Sequence, residues 1–364
     1  MRRRSSFPIL LVLVAAVARA GPAAIAPGVV ATPRVEATHA TVVVIGDVML
    51  GWHYDPQYRA GADPFRNLAP VLRAADLAIA NLEAPLTGRG RAVKGKRFTF
   101  RVPVERARWL AQAGLRVVGL ANNHIMDFGP IGLADTTAAL RGAGVAWCGA
   151  GDNETDARRP AILEVNGLRV AVLAYNWTWP AGYQATAKRP GTAAAHPAWV
   201  AEDVRRARAS GATVIVLYHW GQEKSHELRD YQREFSRGAV AAGATLVIGT
   251  HPHVAQGVER IGQAVIAHSI GDAVFGGARR RSEDSLVLRA TIGAGGLERV
   301  EFLALQTSNE DTDYAPRIRA GADARPLLGQ VRALSEKLGC ALDDGTTDEG
   351  WPCLALSVSP PPGR

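Results

Sequence analysis

Hydrophobic positions fall into short unbroken blocks separated by polar or glycine-containing turns, and these blocks alternate with stretches of helical period. Val42–Ile45, Leu77–Ala80, Arg116–Leu120 and residues 161–165, 168–174, 213–218 and 244–248 are β-branched or otherwise apolar without a regular polar face, which predicts strands covered on both sides. Helical spacing occupies 67–75, 103–113, 131–141, 198–209 and 230–241; Pro103 opens one of these and Gly114 stops it. Asn166-Gly167 between two apolar runs predicts a hairpin. After His253 the pattern changes to strands at 254–260, 263–270, 285–292 and 297–305 joined by short turns, so the last third reads as antiparallel. Strand–helix alternation followed by hairpins predicts an α/β class and a layered sandwich. The chain shows no repeat of 20–50 residues and no coiled-coil heptads.

The ends of the predicted core strands carry the chemistry. Gly46-Asp47, Asn81-Leu82-Glu83, Asn122-Asn123-His124, His219 and Gly249-Thr250-His251-Pro252-His253 each follow an apolar block. Parallel strands present such ends to one crevice. Taken singly each has a bland reading. Asp47 suits a turn that Gly46 sharpens, Glu83 a surface loop, Asn122-Asn123 a turn, Asp127 a helix cap, and His219 a satisfied polar residue. The His-x-His pair is harder to explain as packing, because on an extended segment both imidazoles lie on one side. Together, three histidines, two carboxylates and Asn123 make a mixed nitrogen and oxygen set that suits Mn, Fe, Zn or Co. Six donors exceed one tetrahedral site. The expectation is therefore two divalent ions, about 3.5–4 Å apart and bridged by a carboxylate, able to generate a bound hydroxide and clamp a phosphoryl oxygen. His124 is placed to donate a proton to a leaving group, Asp127 to orient it, and Glu223 to hydrogen-bond a ligand histidine. No phosphate-binding glycine loop, G-x-S-x-G elbow or dinucleotide fingerprint competes.

The first residues add a destination. Met1-Arg2-Arg3-Arg4, the apolar run Pro8–Val17 and Ala18-Arg19-Ala20 describe a secretory signal peptide over 1–20, or else an uncleaved anchor; 21–40 reads as a flexible leader. The expected location is secreted or periplasmic. Losing Arg2, Arg3, Arg4 and Arg19 lowers the net charge from +8 to +4, with 38 basic against 34 acidic side chains, too mild to argue for nucleic acid. The remaining 344 residues suffice for one large domain, expected over 41–310, with a C-terminal extension over 311–364 that includes an amphipathic stretch at 327–338. Cys340 and Cys353 bracket a loop and are candidates for a disulfide, whereas Cys148 reads as a buried thiol. Lys94, Lys96, Arg97 and Arg101, interleaved with Phe98 and Phe100, read either as a solvated face or as a site rim; in the second case Lys96 and Arg97 contact an anionic substrate.

Six blocks then resemble a known group, in order and spacing: Gly46-Asp47-Val-Met-Leu-Gly, Asn81-Leu-Glu83-Ala-Pro-Leu-Thr87, Asn122-Asn-His124-Ile-Met-Asp127-Phe-Gly129, His219-Trp-Gly-Gln-Glu223, His251-Pro-His253-Val and Ser269-Ile-Gly-Asp272. From about residue 41 to 305 the chain is similar to the CapA family of capsule or poly-γ-glutamate synthesis proteins, itself similar to calcineurin-like metallophosphoesterases. The resemblance implies a four-layer α/β/β/α sandwich with a dinuclear site. Asp47 and His253 would hold one metal, Asn123, His219 and His251 the other, with Glu83 bridging and His124 protonating the leaving group. The chain departs from the family at Asp272, where Asn is usual, and at His268, where an aromatic residue is common. The implied function is a metal-dependent phosphoesterase-like hydrolase serving capsule or envelope polymer synthesis, acting on an anionic small molecule or polymer, within a possible synthesis complex. Two alternatives stay open: a non-catalytic accessory that binds or exports poly-γ-glutamate, and an amide hydrolase acting on the polymer.

Overall fold

A computed structural model describes residues 39–51, 57–58, 61–276 and 285–358. The signal-peptide reading of 1–20 and all but the last two residues of the leader lie outside these; His39 and Ala40 already belong to the first strand. Among the described residues no helix is long and apolar enough to cross a membrane.

The strands are β1 His39–Met49, β2 Leu77–Leu82, β3 Leu115–Gly119, β4 Ala146–Cys148, β5 Ala150–Gly151, β6 Ala161–Val165, β7 Leu168–Asn176, β8 Gly191–Thr192, β9 Thr213–His219, β10 Leu246–Thr250, β11 Val258–Ile261, β12 Ala264–Ala267, β13 Asp272–Phe275, β14 Ser285–Gly293, β15 Gly296–Gln306, β16 Arg317–Ile318, β17 Asp343–Thr346 and β18 Pro352–Ser357. One ten-stranded sheet runs β17-β18-β15-β14-β1-β2-β3-β4, with β13 paired to β1 and β16 to β15; a six-stranded sheet runs β11-β12-β10-β9-β7-β6. β1, β2, β3 and β4 are parallel to one another, as are β7, β9, β10 and β12.

The unbroken apolar runs now have a cause. Alternate residues of β1 enter different cores: Val42 and Val44 pack with Val172, Ile215, Leu217 and Ile248 of the second sheet, in a cluster shared by both sheets. Val43 and Ile45 face the opposite way, against Leu72, Leu110, Leu133 and Leu140 from the helices Ala69–Ala74, Ala107–Ala113 and Gly129–Ala143. On the second sheet Leu173, Val214, Val216 and Val247 meet Val200, Val204, Phe235 and Ala239 from helices Pro197–Ala209 and Asp230–Ala242. Strands covered on both faces have no polar side to show.

The last third departs from the antiparallel expectation. β11/β12 and β14/β15 are antiparallel, but β12 runs parallel to β10 and β13 parallel to β1. β13 has only four residues, too few to carry a period. The stretch beyond 310 also enters the fold: β18 pairs with β15, and Leu327, Leu328 and Val331 of helix Arg325–Glu336 join the core shared by the sheets. Cys340 and Cys353 form no disulfide; they and Cys148 are separate buried thiols. Burial pushes the Cys148 thiol up to about 12, which leaves it inert.

Candidate metal centre

The parallel strands bring their C-terminal ends together. Asp47 lies beside Asn81 of β2 and Asp272 of β13, and Thr250 lies beside His219, which itself lies beside Asn176 of β7. Pairing shifts register on both sides of β1 around Asp47. Such a bulge re-aims a side chain where the ladder is broken, and it lets a carboxylate interrupt an apolar strand. Gly46 serves this geometry by close approach, and not by the sharp turn expected. β1 continues to Met49, and a Cβ on Gly46 would lie 1.9 Å from the Gly271 carbonyl oxygen.

Three groups of side chains offer ligand atoms within 4.8 Å of one another: Asp47, Glu83 and His219; Glu83, His251 and His253; and Asp47, His253 and Asp272. The groups interlock through Asp47, Glu83 and His253. All these side chains are buried. The His-x-His pair reaches the cluster by a different backbone from the extended one expected: His251 and His253 have φ of 92° and 56°. Left-handed backbone is uncommon outside glycine and clusters at functional sites. Asn123 joins through its carboxamide, with Oδ1 2.9 Å from His219 Nε2. The sequence therefore named six residues that the fold gathers in one place, from segments more than two hundred residues apart.

Hydrogen bonds orient these donors. Asp47 accepts from Asn81 Nδ2 at 2.7 Å and from the His251 amide at 3.0 Å, and His253 Nδ1 lies 3.5 Å from its Oδ2. His253 Nδ1 is 2.7 Å from Asp272 Oδ1, and His219 Nδ1 is 3.0 Å from Thr250 Oγ1. Burial, opposed by His253 and reinforced by the nearby Asp272, raises the Asp47 carboxyl from 3.8 to about 6. Burial, with the neighbouring imidazoles, holds His219 and His251 well below the ordinary histidine range. Their rings are neutral, so each keeps a lone pair. The buried Nδ1 of His251 has no hydrogen-bond partner among the described residues. Neutral imidazoles, crowded carboxylates and an orphaned ring nitrogen are what a divalent cation relieves. The residues fit a metal.

His124 flanks the cluster, its Nε2 3.8 Å from Glu83 Oε1 and its Nδ1 2.7 Å from Asp127 Oδ2. Burial outweighs Asp127 and pushes the His124 imidazole down to about 4. Of the two basic residues expected on the substrate, Lys96 turns inward onto Asp127, whereas Arg97 is exposed with its guanidinium 5.0 Å over the Phe98 ring. Glu223 is exposed and bonds to no imidazole among the described residues. Sequence reasoning left out Asn81, Asp272, Thr250 and Tyr183 as site residues. Asn81 was detectable: it sits two residues before Glu83, hence on the same face of the strand. Tyr183, whose hydroxyl donates to Asp127 Oδ1 at 3.1 Å, lies in a segment with no pattern to find.

Relatives share this stretch. The chain is 30% identical over 274 residues to the capsule biosynthesis protein CapA of Bacillus anthracis (73% of this chain, 67% of the relative) and 30% identical over 303 residues to the PGA biosynthesis protein CapA of Bacillus subtilis (81% and 78%). A probable polyglutamine synthesis accessory protein of Mycobacterium tuberculosis is 29% identical over 285 residues (73% and 74%). Among solved structures, the chain is similar to the NAD nucleotidase NadN of Haemophilus influenzae (TM-score 0.44, 10% identity, 72% of this chain) and to the sulfate thiohydrolase SoxB of Thermus thermophilus (TM-score 0.46, 14% identity, 82% of this chain). It spans only 55% and 61% of those two chains. Residues 41–277 match the family described as bacterial capsule synthesis protein PGA_cap, so the chain is CapA-like and belongs to that family.

Proposed function

We propose that the centre is hydrolytic, acting on an anionic phosphoester-type substrate in capsule or cell-envelope polymer synthesis, and that the protein is exported to do so. The observation that carries this is the interlocking of the three ligand groups through Asp47, Glu83 and His253, with His124 beside Glu83. Asp47, Glu83, Asp272, His219, His251 and His253, with the Asn123 carboxamide, would hold two divalent ions. Such ions, when bound, supply a nucleophile at neutral pH and neutralise charge developing on a phosphoryl group. The chain's own residues do the rest. Asn81 and Thr250 hold Asp47 and His219 in place, and His124, backed by Asp127, has Nε2 facing the cluster to hand a proton to a leaving oxygen. Relatives named for capsule biosynthesis and PGA biosynthesis support this setting.

An accessory that binds an anionic polymer without cleaving it has the exposed cations Arg91, Lys94 and Arg97 in its favour. One assay separates the two. Protein loaded with Mn or Zn is expected to cleave 4-nitrophenyl phosphate or its bis-ester, and His219→Ala to abolish the activity. Full activity in chelator-treated protein, or none in the loaded protein, overturns the hydrolytic reading.

A further inference from the structure

The turn that carries His251 and His253 needs support. Both residues have left-handed backbone, and such conformations persist only where surrounding contacts over-determine them. Pro252, between them, has no N–H to contribute. Its carbonyl accepts from the Lys224 amide at 2.8 Å. Lys224 belongs to the stretch 221–229 that joins β9 to helix Asp230–Ala242, and this stretch has no strand or helix of its own. The turn is thus propped by a loop that must itself be held.

Two fully buried carboxamides hold it. The Arg229 amide donates to Gln232 Oε1 at 2.9 Å, and Gln232 Nε2 donates to Gln256 Oε1 at 3.0 Å. Gln256 Nε2 then donates to the Ser225 and Glu227 carbonyls at 2.9 and 3.2 Å. The direction of this relay is fixed at both ends. A backbone amide can only donate and a carbonyl oxygen can only accept, so turning either carboxamide over would set like against like. Gly221 lies in the same knot: a Cβ there would be 3.0 Å from the Pro252 ring and 3.3 Å from the Gln232 carboxamide. The main chain of Gln256 is anchored separately, its amide donating to the Ser269 carbonyl at 3.0 Å. Both hydrogens of Gln256 Nε2 are taken by the loop, so this side chain acts on the centre through the loop and not by touching an ion.

We propose that Gln256, together with Gln232, is a positioning residue for the metal centre. The pair fixes loop 221–229 so that the Lys224 amide holds the Pro252 carbonyl, and His251 and His253 stay grouped with Glu83. The proposal rests on the centre holding metal, not on hydrolysis.

Full-length parent, Gln256→Met, Gln232→Met and the double variant, all stripped of metal, are compared in two measurements. Amide hydrogen exchange reads the loop with no ion present. The Lys224 amide is expected to exchange about 10-fold faster in Gln256→Met than in the parent, out of proportion to amides inside β9 and β10. Calorimetric titration with Mn or Zn reads the consequence. Each single variant is expected to bind about 10-fold more weakly, the lower end for partners that orient ligands, because the effect passes through the loop. The double variant is expected to lose no more than about threefold beyond Gln256→Met, since either change breaks the same relay. A merely structural role predicts earlier unfolding in urea with metal affinity within about twofold of the parent, and that result overturns the proposal. So does an unchanged Lys224 amide. Losses that multiply in the double variant make the two carboxamides independent and overturn it as well. If Gln256→Met does not fold, Gln232→Met carries the test, because it breaks the relay from the helix side. If the parent takes up neither ion, the metal reading falls, and the Lys224 amide still decides whether the pair holds the turn.

Discussion

Replacing Asn81 by alanine probes how far the metal donors depend on a residue that is not itself expected to bind the ion. Asn81 is buried, donates Nδ2 to Asp47 Oδ1 at 2.7 Å, lies 3.3 Å from His219 Nδ1 and accepts from Asn122 Nδ2 at 3.3 Å. The first of these bonds goes to a carboxylate with no solvent exposure, where hydrogen bonds to charged groups contribute about 1.5–3 kcal/mol. The two longer contacts are at the weak end of the range and add less. Alanine removes all three and leaves Asp47 and His219 free to turn away from the positions an ion needs. A loss of about 2 kcal/mol corresponds to about 30-fold weaker metal binding, within the 10- to 100-fold typical of partners that orient ligands. Competition between the metal-free protein and a chromophoric chelator for Mn or Zn measures this, parent and variant side by side at one pH. A variant within about threefold of the parent would mean that Asp47 and His219 are held by other contacts, and the orienting role of Asn81 would be refuted.

Gly46→Ala places a methyl group 1.9 Å from the Gly271 carbonyl oxygen and 2.8 Å from its carbon, both backbone atoms that cannot swing aside. Overpacking typically costs about 1–3 kcal/mol, and a backbone clash belongs at the top of that range or beyond; urea unfolding that shows less than about 1 kcal/mol contradicts the reading. Asp47→Asn in the metal-free protein has a pH signature. The folded Asp47 carboxyl is raised from 3.8 to about 6, so the folded state binds the proton more tightly and stability falls as pH rises through that window. Asparagine escapes this penalty. The variant is expected to gain up to about 3 kcal/mol over the parent above pH 6, and nothing near pH 4, while losing the stabilisation that added metal gives the parent. A difference in stability that does not change with pH in chelator-treated samples would rule out the burial of this charge as its cause.

Some of the architecture was visible in one dimension because burial on both faces leaves a mark on composition. The run at Val42–Ile45 appears in the structure as the central part of β1, and the run at 213–218 as all of β9 but its last residue. The Asn166-Gly167 turn joins β6 to β7 as an antiparallel pair, with Asn166 at φ 49°. What escaped was short or unpatterned: β4 with three residues, β13 with four, and helix Glu154–Ala157. The direction of β12 was misread because hairpin-like spacing says nothing about which neighbour a strand chooses.

The amino-acid order by itself determined which side chains sit at strand ends, and hence that Asp47, Glu83, Asn123, His219, His251 and His253 belong to one crevice. Strand-end position follows from local periodicity, and parallel pairing does the gathering. Only the folded chain decided how the donors are grouped and aimed: the left-handed turns at His251 and His253, the bulge at Asp47, and the inward turn of Lys96. Those features depend on contacts between segments far apart in sequence, such as the 2.7 Å bond from Asn81 to Asp47 and the 3.0 Å bond from the His251 amide to the same carboxylate. A side chain's direction at the end of a strand is set by what it meets there, and its own neighbours in the chain carry no record of that.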